Sequence, residues 1–287
     1  MTFPRSLLFV PANRTEMFGR AWESDAEAVI FDLEDSVAAA QKGAARDALV
    51  ALRPPDGWTR PIFVRLNSHG TDDFDLDLRA AASTACPLAG VILPKVERAA
   101  QVREADKALA ARERSDQPLA LVLLIETPGG VLRAAELADC GVQRVVAFAF
   151  GSEDYRAGMG GGVDALDSAL ADFARATVSN AAAAAGLRGR GGAIDSAMLQ
   201  IDDLDRLRTE ARRARALGFQ AKFAIHPSQI AVIHEELGGD GGADRAWALR
   251  AVEAYERAAR DGRGSVALDG RMIDEATMKR ARDILEA

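Results

Sequence analysis

Eight short apolar runs punctuate this chain, and nearly every one ends in a polar cluster: SLLFVPAN, AVIFDLED, PIFVRLN, GVILPKVE, LALVLLIET, RVVAFAFGSED, GGAID and AKFAIHPSQ. Longer Ala/Leu/Arg/Glu-rich segments with helical spacing lie between them. Continuous apolar runs that alternate with helices are what a parallel sheet covered by helices requires. Eight such units predict a closed (β/α)8 TIM barrel, an α/β fold whose strands converge at their carboxyl ends on one mouth that carries the chemistry. Strands are expected at 6–10, 28–32, 62–66, 91–94, 119–125, 145–150, 192–195 and 223–226, and helices at 36–52, 98–111, 165–185 and 202–217 among others. The glycine-rich stretch 158–162 follows strand six, where a barrel places a functional loop. Residues 1–240 make up the barrel; residues 241–287 read as a C-terminal helical extension that caps its own or a neighbouring barrel.

A chain of 287 residues suits one barrel of roughly 250 residues with a tail. The net charge of −7 argues against non-specific nucleic-acid binding, which needs a basic surface. No apolar run approaches the length of a membrane span. Cys86 and Cys140 belong to no CxxC pair and read as buried thiols in a reducing compartment. The start, MTFPRSLLFVPANR, has too short an apolar run and no charged leader for a signal peptide, so the expected location is the cytoplasm.

Candidate chemistry gathers at the strand ends. Glu126 (LLIET) and Asp154 (FAFGSED) follow consecutive strands, which in a barrel are neighbours about 4.8 Å apart. Two carboxylates completed by water and substrate oxygens are the usual protein contribution to a Mg2+ site. Either residue alone would equally serve as a helix cap. Arg65, in FVRLN, is costly to bury unpaired and suits a substrate carboxylate or carbonyl, or an ion pair with the acidic DLED segment. Asp32, Glu34 and Asp35 form that segment. One of them can orient metal-bound water and another can pair with Arg65, while Asp35 or Ser36 can cap the next helix. Lys95 (ILPKVE) reads as a salt bridge to Glu97 or to an acidic mouth residue, in preference to a Schiff-base lysine. His226 suits a base or a structural turn, His69 the rim, and His234 a structural helix position; no histidine pair has zinc-ligand spacing.

The strings RSLLFVPANR, AVIFDLEDSV with Lys-x3-Arg after it, FVRLN, ILPKVE, IETPGG, FGSEDY and KFAIHPSQI span nearly the whole chain. Together they make it resemble the citrate lyase β-subunit-like branch of the HpcH/HpaI aldolase superfamily, which includes malyl-CoA and citramalyl-CoA lyases. The resemblance implies a (β/α)8 barrel, commonly a homotrimer, with Mg2+ in the mouth, Glu126 and Asp154 as its ligands, and Arg65 on the substrate. It also implies that GRMIDEATMKRA is the MID segment of free-standing acyl-CoA lyases, with Asp274 as the proton-transfer residue; Asp274 reads equally as the cap of the last helix. CoA is placed near the first strand, where Arg5, Asn13 and Arg14 suit its phosphates or pantetheine and Arg20 or Lys42 can add charge.

The expected function is therefore Mg2+-dependent cleavage of a β-hydroxyacyl-CoA, of the citramalyl-CoA or malyl-CoA type, to acetyl-CoA and a 2-oxo acid. The alternatives are a citrate lyase β subunit acting on a citryl acyl-carrier protein, a CoA-independent class II aldolase for 2-oxo acids, and a binding protein that keeps the metal site without turnover. Tyr155, directly after Asp154, stands where family members often carry an aliphatic residue and so bears on substrate choice.

Overall fold

The computed structural model describes residues 3–112, 118–160, 169–187, 191–238 and 241–286. Its contacts divide the chain into two units, Met1–Leu237 and Gly238–Ala287.

In the first unit eight strands close into a parallel barrel in sequence order: β1 (Ser6–Pro11), β2 (Ala28–Asp32), β3 (Ile62–Arg65), β4 (Gly90–Leu93), β5 (Ala120–Ile125), β6 (Val145–Phe150), β7 (Gly192–Asp195) and β8 (Ala221–Ala224). β8 pairs with β1 to complete the ring. The α-helices among the described residues of this unit follow in order: α1 (Phe18–Glu23), α2 (Lys42–Ala51), α3 (Asp72–Ser83), α4 (Ala99–Ala110), α5 (Pro128–Leu132), α6 (Ala134–Ala138), α7 (Ser152–Gly158), α8 (Ala169–Ala184), α9 (Leu204–Ala216) and α10 (Ile230–Leu237).

Strand alternation builds two cores from one set of sequences. Leu7, Ile30, Phe63, Ile92, Val122, Leu124, Ala149, Ile194 and Phe223 point inward and fill the barrel. Their neighbours Leu8, Val10, Val29, Phe31, Val64, Val91 and Leu123 point outward and pack under the helices. Both faces are buried, which is why the strands read as unbroken apolar runs. The same period of two decides what reaches the mouth. Asp32 lies two residues beyond Ile30, Arg65 two beyond Phe63, Glu126 two beyond Leu124 and Ser196 two beyond Ile194.

Most expected boundaries move by a residue or two, and two of the shifts have a tertiary reason. The helix expected over 36–52 starts at Lys42, so neither Asp35 nor Ser36 caps it; Ser36 instead folds back, its N–H and hydroxyl both donating to Asp32. The last strand lies at Ala221–Ala224 rather than 223–226 because it takes its register from β7, with Asp195 opposite Lys222. His226 then caps a short turn, its ring nitrogen accepting from the Ser228 N–H. Of the loop expected at 158–162, residues 161 and 162 lie outside the described residues, as do 165–168 of the expected helix over 165–185.

The second unit, taken by itself, is a helix, a hairpin and a helix: α11 (Gly241–Arg260), β9 (Val266–Leu268), β10 (Arg271–Ile273) and α12 (Glu275–Glu286). The hairpin turns on Asp269-Gly270, both with positive φ (50° and 76°), the conformation that Asp-Gly favours in a two-residue loop. Ala248, Ala251, Ile273, Met278 and Ala281 form its small core.

Candidate active site

The mouth is organised by the register of β2 and β3, which sets Asp32 beside Arg65. Asp32 Oδ1 accepts from Arg65 Nε at 2.7 Å, and Oδ2 from Nη2 at 2.6 Å, a two-point fork. Asp32 also accepts from the backbone N–H groups of Glu34 and Ser36. Burial would raise its pKa, but the Arg65 charge and these donors outweigh burial and hold the carboxyl below its ordinary value. Asp32 is saturated. It fixes Arg65, and it has no lone pair to spare for metal-bound water.

Arg65 is thus ion-paired, as one of its two expected uses required, with Glu34 Oε2 also 3.1 Å from Nη1. A guanidinium has five N–H donors, so the fork to Asp32 still leaves donors for a ligand. Arg65 lines a cleft of about 130 Å3 together with Glu126, Asp154, Asp35, Ser152 and Ser196. Phe9, Phe150, Phe223 and Leu124 supply its apolar walls. Arg65 also lies over the Phe9 ring, 4.9 Å from its centre.

Glu126 is buried, only 3% exposed. Its Oε1 accepts from the Lys95 backbone N–H at 2.9 Å. Burial first, then the nearby Glu34 charge, push its pKa up to about 8. Thr127, not Glu126, caps the next helix, its hydroxyl accepting from the Gly130 N–H. Asp154 sits in the first turn of α7. Gly151, at the end of β6, brings that turn against Glu126: a Cβ there would stand 2.5 Å from Glu126 Oε2.

Lys95 stands at the centre of these acids, in the salt bridge to acidic mouth residues that its strand-end place suggested. Its Nζ is 2.5 Å from Glu34 Oε1, 3.1 Å from Asp35 Oδ2 and 3.1 Å from Asp154 Oδ2. Glu97, the other expected partner, pairs instead with Arg133 and Thr127. Burial would lower the lysine pKa, yet Glu34 and the neighbouring carboxylates prevail and keep it an ammonium. Glu34 itself is shifted upward, by burial more than Arg65 can offset.

The remaining sequence candidates fall elsewhere. Arg5 precedes β1, at the opposite end of the strand from the mouth, and donates to Glu27 at 2.9 Å from Nε. Asn13 and Arg14 follow β1 at the mouth end, with Arg14 exposed and paired to Glu16. Lys42 spends its ammonium on the Leu33 and Glu34 carbonyls and on Asn67 Oδ1, each at 2.7 Å, and so braces the acidic loop. His69 pairs with Glu104, and the His234 ring meets the buried Ser6 hydroxyl at 2.7 Å. Tyr155 is 5% exposed and packs under the helices against Phe150, so it reaches the cleft only through that ring. Asp274, in the second unit, accepts from the N–H and hydroxyl of Thr277, both at 2.9 Å, and so caps α12. Residues that sequence reasoning passed over are Gly151, Ser152 and Ser196; the glycine in FGSED, placed directly after an apolar strand, was the available signal.

Among the described residues no three His, Cys, Asp or Glu side chains form a ready-made metal cage. The donor set nevertheless fits a hard divalent cation. Five carboxyl groups (Asp32, Glu34, Asp35, Glu126, Asp154) face two cations, Arg65 and Lys95, and Mg2+ is commonly held by one or two carboxylates plus water and substrate.

Comparison with known proteins identifies the family. The profile of the family described as HpcH/HpaI aldolase/citrate lyase matches residues 5–227. The chain is 40% identical over 286 residues to a citrate lyase subunit beta-like protein of Mycobacterium tuberculosis, covering 97% of this chain and 93% of that protein. It is 31% identical to the mitochondrial citramalyl-CoA lyase of Mus musculus, covering 98% and 85%. Among solved structures it is similar to the CitE protein of M. tuberculosis in complex with magnesium, acetoacetate and coenzyme A (TM-score 0.79, 38% identity, 99% and 97% of the two chains). A citrate lyase beta subunit from the same organism, complexed with oxaloacetate and magnesium, matches with a TM-score of 0.69 and 39% identity over 82% of this chain and 97% of that one. The barrel, the strand-end acids and these likenesses converge: the chain belongs to the HpcH/HpaI aldolase/citrate lyase family and is a carbon–carbon lyase.

Proposed function

We propose that this enzyme cleaves a β-hydroxyacyl-CoA of the citramalyl-CoA or malyl-CoA type to acetyl-CoA and a 2-oxo acid, with Mg2+ held by Glu126 and Asp154. The observation that carries the reading is that both carboxylates line the same small cleft as the Arg65 guanidinium. The cleft has the volume of about four waters. That is room for the 2-oxo acid half of such a substrate and not for CoA. Bound magnesium would supply a Lewis acid to the oxygen that changes from hydroxyl to ketone.

The chain's own residues account for the rest. Cleavage breaks the carbon–carbon bond, and the bonding pair leaves with the thioester fragment as an enolate. The substrate hydroxyl loses a proton and the α-carbon of the enolate gains one, so no oxidant or reductant is needed. The remaining Arg65 donors face the developing negative oxygen, in an orientation set by the Asp32 fork. Apolar walls from Phe9, Phe150 and Phe223 exclude water, which strengthens that interaction. Asp274 is assigned the α-carbon proton by its match to the family's MID segment. Hydrogen bonds from Thr277 hold its carboxyl below the ordinary value, so it stands ionised, ready to receive a proton in the synthetic direction, and has to take up a proton before it can donate one in cleavage. Arg5, Asn13 and Arg14 remain candidates for CoA, and a cytoplasmic homotrimer is part of the same proposal. Among the described residues, no helix is long and apolar enough to cross a membrane.

The test is release of acetyl-CoA and a 2-oxo acid from citramalyl-CoA and malyl-CoA, with magnesium and then with chelator. Metal-dependent release supports the proposal. Silence toward both thioesters, with cleavage of a citryl acyl-carrier protein, would transfer the assignment to a citrate lyase β subunit, the name borne by relatives such as that of Escherichia coli at 33% identity.

A further inference from the structure

Cleavage as described leaves Lys95 without a task, although the fold goes out of its way to place it. Lys95 follows β4 with a φ of 52°, one of two described non-glycine residues in the left-handed region that side chains avoid. That turn does two things. It aims the backbone N–H at Glu126 Oε1, which leaves Oε2 as the oxygen open to a ligand. It also carries the side chain over the mouth, where the ammonium meets Glu34, Asp35 and Asp154 within 3.1 Å. The ammonium donates to Glu34 and Asp35, neighbours in the acidic loop after β2, and pairs across the mouth with Asp154 in α7. A magnesium ion on the Asp154 carboxylate would repel the ammonium 3.1 Å from its Oδ2, so the two cations compete for that group. Lys95 and Asp154 are both about one-third exposed, so a flexible lysine stem has water to move into.

We propose that Lys95 is a tethered counter-cation: it gathers Glu34, Asp35 and Asp154 while the mouth lacks metal, and yields Asp154 when magnesium binds. The inference rests on the magnesium reading and adds to it an exchange of one cation for another. Glu34 and Asp35 keep the released ammonium at the rim. The lysine thereby tunes magnesium affinity downward while keeping the acidic loop ordered for the ion. A lysine that merely props the loop would stay on Asp154 after metal binding, and its removal would loosen the ligands and weaken the ion.

The experiment is lysine labelling by reductive methylation, read by mass spectrometry on the full-length protein, with and without saturating magnesium. Magnesium uptake is measured by calorimetry on the same sample. The chain has five lysines, so every site is resolved: exposed Lys107 and Lys279 are references, and fully buried Lys222 is the unreactive control. Magnesium should raise Lys95 labelling severalfold and leave the references unchanged. Lys95→Met should bind magnesium about fivefold more tightly, the order expected for loss of a partly exposed competing ion pair. Magnesium uptake with unchanged Lys95 labelling would overturn the exchange and leave the magnesium reading standing, as would weaker binding by a folded Lys95→Met protein. Absence of magnesium uptake by the natural protein would overturn both. If Lys95→Met does not fold, the labelling of the natural protein decides alone.

Discussion

Asp195→Asn should be among the most damaging single changes in the barrel, although Asp195 is not itself at the cleft. Its carboxylate is completely buried at the end of β7. It accepts from Lys222 Nζ at 2.6 Å and from Arg175 Nε at 2.9 Å, and those two side chains are 0% and 4% exposed. The next acid from Lys222 among the described residues is Glu210, at 3.8 Å. Replacing the carboxylate by an amide therefore strands two buried cations, and breaking a buried pair in this way costs about 3–5 kcal/mol. At roughly 2 °C per kcal/mol for a unit of this size, the midpoint should fall by about 6–10 °C. Urea and thermal unfolding followed by circular dichroism measure both. Adding Lys222→Met should recover part of the loss, because the second change removes one stranded charge. The pH dependence supplies a further check. Burial would raise the Asp195 pKa, but Lys222 and Arg175 hold it below its ordinary value of 3.8. Its stabilising contribution is thus complete well above that value and is lost as pH falls through the lower folded-state value; the amide of the Asp195→Asn variant does not titrate, so this part of the acid slope disappears. A loss under about 1 kcal/mol, or strict additivity in the double variant, would show that the network is not the closed buried unit that its distances describe.

Three further outcomes follow from the mouth and the core. Gly151→Ala should abolish magnesium uptake, read by calorimetry, because its φ of −108° tolerates a side chain while the new Cβ strikes both Cβ and Oε2 of Glu126 and must displace that residue; normal uptake by the folded variant would mean that Glu126 is not the ligand. Arg65→Lys should lower kcat/KM by about a hundredfold or more without unfolding the barrel, since an ammonium cannot reproduce the two-point fork to Asp32 and also face the substrate oxygen; steady-state kinetics that are unchanged would remove Arg65 from the chemistry. Burial pushes the Cys86 thiol up to about 11, so Cys86 should resist a disulfide reagent at pH 8 in the native protein and react in denaturant; rapid native reaction would contradict its packing.

The parts of the site that follow from a period of two were legible without a structure. Asp32, Arg65 and Glu126 each end an apolar run two residues past an inward-facing side chain, so once the barrel is accepted their convergence is a matter of counting. Both uses foreseen for Arg65 are compatible: it pairs with Asp32 and still lines the cleft. What escaped depends on events outside the period. The pairing of Lys95 with acidic mouth residues was expected, but nothing in ILPKVE announces the positive φ at the lysine through which it is made. The helix expected from Ser36 onward begins later because Asp32 captures the Ser36 N–H and hydroxyl, a competition that local pattern does not score.

Lys222 shows the same limit in the core, and it also connects the core to the site. The strand expected over 223–226 leaves Lys222 outside it, and a lysine is a residue seldom fully buried. The register with β7 instead lays Lys222 beside Asp195, where the ammonium is neutralised and also donates to the Ser196 carbonyl at 2.7 Å. Ser196 is the residue that β7 sends into the cleft. The buried network thus ties the position of one cleft wall to charges between strand and helix. Loss of Asp195 should therefore impair turnover even at temperatures where the barrel remains folded. Unchanged kcat/KM in a folded Asp195→Asn protein would separate the two roles, leaving the network to stability alone.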